Sequence, residues 1–294
     1  MFRAFRDDGT PIRLINVLHI KVVSLMFKIA IIGCGNMGLT YARSFLQFNL
    51  VTRENLLLVA RDKHHARELR KLDLGKVAGG IDKKIADYGV IILSVKPQDF
   101  HSTVPGLTKY LQPHNVVLSV MAGITLSRLH QSLQHRSIVR AMPNTPAQLG
   151  MGVTAFAASS EVNIHQISII DNLLNTTGRT ILLENEALLD AVTALSGSGP
   201  AYFFYVIKNM IDAGIRMGLD ESVAAMLVKQ TMLGSFHLMN QSPHSLDQLI
   251  KAVTSKGGTT EAAFRAFTAS RLGENLQEAI YAAQRRATEL SQSE

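Results

Sequence analysis

The chain has one cysteine, Cys34, in 294 residues. That excludes an internal disulfide framework and a cysteine-rich zinc site. Its ten histidines include no HExxH pair, and His64 and His65, being adjacent, project from different sides of a helix, so no metal site is expected. Charge-free apolar runs are also missing. The most apolar stretch, residues 201–219, carries Lys208, Asp212 and Arg216, whereas a membrane span needs roughly 20 residues nearly free of charge. Nor is there a block of like charge. The net charge is +7, yet the basic residues are scattered, in short runs such as Lys83-Lys84 and Arg285-Arg286. A nucleic-acid-binding chain would cluster them around a recognisable motif. The expectation is a basic surface with one anion-binding pocket, no nucleic-acid partner and no membrane. The reducing cytoplasm is the expected home.

What is present describes a folded enzyme-sized chain. Hydrophobic residues make up 47% and charged residues 18%, a globular composition, and the length suits two domains. Residues 1–25 hold Arg3, Arg6, Arg13 and Lys21 against Asp7 and Asp8 and lack the pattern of a secretory signal. They are expected to be an extension outside the fold, because Met26 directly precedes the first strong strand.

From there, short β-rich runs alternate with helical patterns. Strands are expected at 27–32, 55–59, 77–80, 90–95, 116–120, 137–141 and 153–158, and a polar helix at 64–72. This rhythm predicts an α/β domain over 26–185, a Rossmann-type parallel sheet covered on both faces. From 186 to 294 the periodicity is helical almost throughout, broken at Gly197-Ser198-Gly199-Pro200, Ser242-Pro243 and Lys256-Gly257-Gly258. An all-α domain for substrate binding and dimerisation is expected there. The helices at 220–241 and 274–291 carry apolar stripes, and Leu227, Met232, Leu233 and Phe236 are expected between subunits of a homo-oligomer built from dimers.

The first strand runs into Gly33-Cys34-Gly35-Asn36-Met37-Gly38. In a G-x-G-x-x-G loop the first glycine makes the turn, the second admits a pyrophosphate, and the third packs helix on strand. The helix N-terminus supplies free N–H groups to the phosphates. Gly33, Cys34, Gly35, Asn36, Met37 and Gly38 are therefore assigned to a nicotinamide dinucleotide, with Cys34 a small packing residue rather than a nucleophile. Where an NAD enzyme usually places a carboxylate at the end of the second strand, this chain has Ala60 and Arg61, followed by Asp62. A guanidinium matches a 2′-phosphate, so NADP (as NADPH) is the expected cofactor, with NAD as the alternative. Ser94, Val95, Lys96 and Pro97 end the fourth expected strand, where ligands of such sheets sit, and are assigned to the cofactor as well.

In the helical half, Ser196-Gly197-Ser198-Gly199-Pro200-Ala201-Tyr202 feeds a long helix. Thr254-Ser255-Lys256-Gly257-Gly258-Thr259-Thr260-Glu261 opens another. Glycines and hydroxyls at a helix N-terminus form a cradle for a carboxylate; ordinary capping by Thr259 or Thr260 is the alternative.

Taken together, GCGNMG, SVKP at 94–97, RAMPNTP at 140–146, ALSGSGPAY at 194–202 and VTSKGGTTEAAFRAF from Val253 resemble the pyrroline-5-carboxylate reductase family, in the family's order from about Met26 onward. The resemblance implies NAD(P)H-dependent reduction of 1-pyrroline-5-carboxylate to L-proline, the last step of proline biosynthesis. It implies that the substrate carboxylate is held by Ser255, Gly257, Gly258, Thr259 and Thr260, with the Thr260 hydroxyl near the ring nitrogen in the catalytic role. The nicotinamide end falls near the segment containing Asn144. Reducing a protonated imine needs positioning more than acid–base groups, in keeping with the absence of an obvious dyad. Two rivals differ in class. A β-hydroxyacid dehydrogenase would need a lysine base, with Lys208 the candidate, and a non-catalytic cofactor-binding regulator would need no second anion cradle.

Overall fold

The computed structural model describes residues 27–292; the expected extension, 1–25, lies outside them. The described residues form two compact units. One runs through Val192 and takes in the chain from Thr288, and the other is Thr193–Ala287. Glu186 to Val192, expected with the helical half, thus cluster with the sheet.

The first unit is built on eight strands: β1 (Ile29–Ile32), β2 (Leu56–Val59), β3 (Lys76–Ala78), β4 (Val90–Leu93), β5 (Val116–Ser119), β6 (Ile138–Met142), β7 (Gly152–Ala158) and β8 (Gly178–Leu182). They lie in the order β3-β2-β1-β4-β5-β6-β7-β8. The central strands are unbroken apolar runs, such as IAII and VIIL, with every residue buried. Strands covered on both faces need that composition. Alternate residues feed two separate cores. Ile29 and Ile31 join Tyr41, Phe45 and Leu58 on one face, while Ala30 and Ile32 join Phe100, Leu107 and Leu129 on the other.

Helices α1 (Asn36–Gln47), α2 (Lys63–Lys71), α3 (Phe100–Tyr110), α4 (Leu126–Leu133), α5 (Ile164–Asn175) and α6 (Leu188–Val192) belong to this unit. Asp62, Thr125 and Asn163 cap α2, α4 and α5 through their side chains, each satisfying an N–H that the first turn leaves unpaired.

Two expectations for the sheet need correction. β7 runs antiparallel to β6, because Pro143 to Met151 is all that separates them, and a parallel return needs a crossover of a dozen or more residues. β8, parallel to β7, was not anticipated. It is a half-exposed edge strand without a buried apolar run, the feature by which the others were legible.

The second unit is helical: a π-helical turn (Thr193–Gly197), α7 (Gly199–Arg216), α8 (Glu221–Gln241), α9 (Leu246–Ala252), α10 (Thr259–Ala269) and most of α11 (Leu272–Gln292). α7 and α8 approach closely at Gly214, where an added Cβ would lie 2.9 Å from that of Ala224. The buried residues among those described here are small: Ala194, Gly199, Gly214, Ala224 and Ala287. Phe203, Phe204, Met226, Leu227, Leu233 and Phe236 are all exposed, an apolar surface far beyond what a monomeric domain carries.

One buried titratable group in the first unit has a consequence for stability. His135 is buried, with Nε2 2.8 Å from the Asn115 carbonyl and its own carbonyl 2.8 Å from His130 Nδ1. Burial depresses its pKa; the Asn115 contact opposes the shift, and His130 adds to it. The unfolded chain therefore takes up this proton first. The stabilisation is complete above the ordinary histidine pKa of about 6.5 and is lost as the pH falls below it toward the folded value. Thermal melts of the wild type are expected to drop more steeply between about pH 6.5 and pH 5 than those of His135→Gln; parallel curves would remove His135 from the acid response.

Candidate active site

At the end of β1 the chain turns within contact of the end of β4. Gly33 has φ +92°, and a Cβ there would lie 2.5 Å from the Val95 nitrogen and 2.6 Å from the Ser94 carbonyl. Ser94 Oγ donates to the Gly33 carbonyl at 3.0 Å, tying the two strand ends together. Gly38 packs against Gly33, and a Cβ on it would come within 3.1 Å of Ser94 Oγ and 3.2 Å of the Ile31 side chain. Gly35 behaves differently. It is the N-cap of α1, makes no side-chain cap, and has nothing within 4 Å of where a Cβ would stand. Two glycines are thus needed for close packing and the middle one opens on free space, at a helix end whose first N–H groups have no side-chain cap.

Cys34 is buried in this loop, its thiol 3.6 Å from the Ile31 carbonyl and 3.8 Å from that of Val59. Burial pushes the thiol up to about 12, against a smaller lowering by the Val59 contact. It is a packing residue, since its burial works against the thiolate that nucleophilic chemistry requires. Lys96 is exposed and, among the described residues, has no carboxylate partner; Pro97 begins a 3-10 turn beside it.

At the end of β2, Ala60 is buried and its N–H donates to the Ala78 carbonyl. Arg61 then projects into solvent with 86% of its side chain exposed and Nε 3.2 Å from Asp62. The Asp62 carboxylate is committed. One oxygen accepts the His65 N–H at 2.7 Å and the other faces Arg61. Those contacts, the backbone one foremost, hold its carboxyl below the usual carboxylate range.

β6 carries Arg140, 4% exposed, which donates to Glu186 Oε1 at 2.8 Å and to Asp190 Oδ1 at 3.3 Å. Glu186 also accepts the Leu126 N–H, and Asp190 accepts from Ser291 Oγ. Just beyond, Asn144 accepts the Val153 N–H at 3.0 Å, fixing the turn into β7. Sequence reasoning named Arg140 only as the first residue of a motif and missed Glu186 and Asp190. Their i,i+4 spacing was the available signal, but nothing local ties them to a strand 46 residues away. A cavity of about 640 Å³ between α1 and the turn Thr145–Leu149 is lined by Asn36, Thr40, Arg43, Gln47 and Gln148 among others.

In the second unit, the residues expected to cradle a carboxylate lie within one short turn and are exposed or partly exposed. The Gly258 N–H donates to the Ser255 carbonyl at 3.0 Å, and Gly257 has φ +73°. Gly258 is the N-cap of α10 and makes no side-chain cap. The capping alternative for Thr259 and Thr260 is therefore not realised; they stand inside the first turn. Among the described residues neither their hydroxyls nor that of Ser255 makes a hydrogen bond, and the first-turn N–H groups of Thr259 and Thr260 have no acceptor. The carbonyl of Ala194 is taken by the Tyr202 hydroxyl at 3.0 Å. Lys208, the base a β-hydroxyacid dehydrogenase would need, is paired with Asp212 on the exposed face of α7.

Comparisons with known proteins bear on both units. The family described as pyrroline-5-carboxylate reductase dimerisation matches residues 186–290, and that described as NADP oxidoreductase, coenzyme F420-dependent, matches residues 28–123. A pyrroline-5-carboxylate reductase of Pseudomonas aeruginosa is 40% identical over 209 residues, 71% of this chain and 77% of that protein. One from Arabidopsis thaliana is 32% identical over 267 residues, 91% of this chain and 96% of its own. Among solved structures, a Plasmodium falciparum pyrroline carboxylate reductase with NADP bound superposes with a TM-score of 0.81 at 25% identity, covering 91% of this chain and 99% of the other. The enzyme from Coxiella burnetii gives 0.81 at 29% identity, covering 91% and 100%.

Proposed function

The chain belongs to the pyrroline-5-carboxylate reductase family, and we propose that its glycine loop and Arg61 hold the cofactor while the turn 255–260 holds the substrate carboxylate. The protein reduces 1-pyrroline-5-carboxylate to L-proline with NAD(P)H, the last step of proline biosynthesis. The observation that carries the site assignment is the pair of uncommitted donor sets, one in each unit. The first is the helix end opening from Gly35, and the second is the uncapped first turn of α10.

The nicotinamide cofactor, when bound, supplies the hydride. The residues around Gly35 fit such a group, because the open side of that glycine leaves room for a pyrophosphate at the N-terminus of α1. We assign the backbone of Cys34, Asn36 and Met37 to the phosphates and Ser94, Val95, Lys96 and Pro97, which follow β4, to the cofactor as well, since Ser94 and Val95 lie against Gly33. Asn144 holds the turn after β6, where the family's nicotinamide end falls.

In the second unit, the N–H groups of Thr259 and Thr260 and the hydroxyls of Ser255 and Thr259 bind the substrate carboxylate, with Gly257 and Gly258 keeping side chains out of its way. The Thr260 hydroxyl stands by the ring nitrogen, which arrives protonated, and holds that N–H in place. Rate comes from this orientation and not from an acid–base pair. Two further readings belong with the assignment. The exposed apolar faces of α7 and α8, including Leu227, Met232, Leu233 and Phe236, form a dimer interface. A cytoplasmic home suits a chain whose single cysteine can form no internal disulfide.

NADPH is the preferred cofactor because the carboxylate nearest the end of β2 is occupied by its helix cap and by Arg61 Nε, while the rest of the exposed Arg61 guanidinium is left to face a 2′-phosphate. Arg61→Ala should raise KM for NADPH about tenfold or more while leaving NADH nearly unchanged, since a hydrogen bond to a charged group contributes roughly 1.5–3 kcal/mol. An equal effect on both cofactors would show Arg61 to be structural.

Thr260→Ala should lower turnover of racemic pyrroline-5-carboxylate, followed by NADPH absorbance, about tenfold to hundredfold. That is less than the roughly 2.7–4 kcal/mol of a donor at a developing charge, because here charge is neutralised. Thr260→Ser should keep most of the activity. A stable alanine variant with unaltered kcat and KM takes Thr260 out of the site.

Light scattering at micromolar concentration should return at least a dimer mass. A monomer would refute the interface on α7 and α8.

A further inference from the structure

The turn that opens α10 is closed by a carboxylate. The bond from the Gly258 N–H to the Ser255 carbonyl makes Ser255, Lys256, Gly257 and Gly258 a four-residue turn. Gly257 in its third position has the positive φ, +73°, that a type II turn requires there. In an ordinary capping box the side chain at the third helical position reaches back to the N-cap N–H. Here Ser255 already takes that N–H, and Glu261, at the third position of α10, reaches one residue further. Its Oε2 accepts the Gly257 N–H at 2.8 Å. That N–H belongs to the peptide between Lys256 and Gly257, the central peptide of the turn, whose rotation distinguishes one turn type from another.

We infer that Glu261 is a positioning residue for the substrate carboxylate. It pins the central peptide of the turn 255–258, so that the donors around it, the N–H groups of Thr259 and Thr260 and the hydroxyls of Ser255 and Thr259, converge on one anion. The inference rests on the reading of this turn as the substrate cradle. Its physical content lies in an opposition between two properties of one side chain. The negative charge of Glu261 repels a carboxylate bound a few ångströms away, while its acceptor oxygen orders the loop that binds it. The Gly257 N–H, being occupied, is not a substrate ligand; it is the hinge of the cradle.

The two properties are separable by substitution in the full-length enzyme. Glu261→Met keeps the length and helix propensity but removes the acceptor. KM for pyrroline-5-carboxylate should rise about tenfold, with KM for NADPH unchanged and kcat altered much less, the signature of lost substrate binding. Glu261→Gln keeps an acceptor and removes the charge, so its KM for the imine should equal or fall below that of the wild type. A Gln variant as impaired as the Met variant overturns the inference, because charge and not the hydrogen bond would then be responsible. An unchanged KM in the Met variant overturns it as well. Ser255→Ala separates the two layers of the argument. If it raises KM while Glu261→Met does not, Glu261 alone is misassigned; if neither raises it, the cradle itself is. Should the Met variant fail to fold, the Gln variant decides, since a raised KM refutes and a wild-type or lower KM supports.

Discussion

The molecule is organised around one close approach, that of the β1 end to the β4 end at Gly33. With φ at +92° and only 2.5 Å between a would-be Cβ and the Val95 nitrogen, no side chain fits. The approach lets β1 and β4 sit side by side in register from Ile29 opposite Val90 to Ile32 opposite Leu93. At that point the strand order reverses, with β2 and β3 on one side and β4 onward on the other. The loops leaving β1 and β4 therefore diverge to opposite faces, and the gap between them is where ligands of such sheets are bound. The two faces of the sheet, with their separate cores, share this one seam.

A second constraint holds the far side of the sheet. Arg140 is almost wholly buried between Glu186 and Asp190, one cation facing two carboxylates. Such clusters contribute little net stability against an apolar replacement, but removing one partner strands the others and costs about 3–5 kcal/mol. The arrangement is better understood as an address. The guanidinium fixes where the segment following β8 crosses β6, and the Leu126 N–H and the Ser291 hydroxyl complete the set of donors to the two carboxylates. Two residues further along β6 lies Met142, and the turn held by Asn144 begins.

The central strands were legible because IAII, LLLV, VIIL and VVLS are buried on both sides, and continuous apolar runs carry that information in any context. β8 was not, since half-exposed edge residues such as Arg179 and Leu182 look like loop. The reversal at β7 depended on counting linker residues, not on the composition of the strand. The glycine loop and the turn 255–260 were legible as motifs, because backbone requirements narrow residue choice at those positions. What each polar group does there was not. Only the fold shows that Asp62, beside the end of β2, is committed as the cap of α2, and that Gly258 holds the cap position that was the alternative reading for Thr259 and Thr260. The partners of Arg140 were hidden because they depend on contacts between segments distant in sequence.

The end of the chain does not belong to the domain it follows. Leu290 lies against Gly123, whose would-be Cβ it approaches to 3.0 Å, and Ser291 bonds to Asp190, so the last turn of α11 closes a unit whose other residues were made nearly a hundred positions earlier. During synthesis on a ribosome, the sheet can therefore assemble while the helical unit is still being translated, and the segment from Thr288 joins it only after that unit has been made. The unit begun first is thereby completed after the helical unit inserted within it.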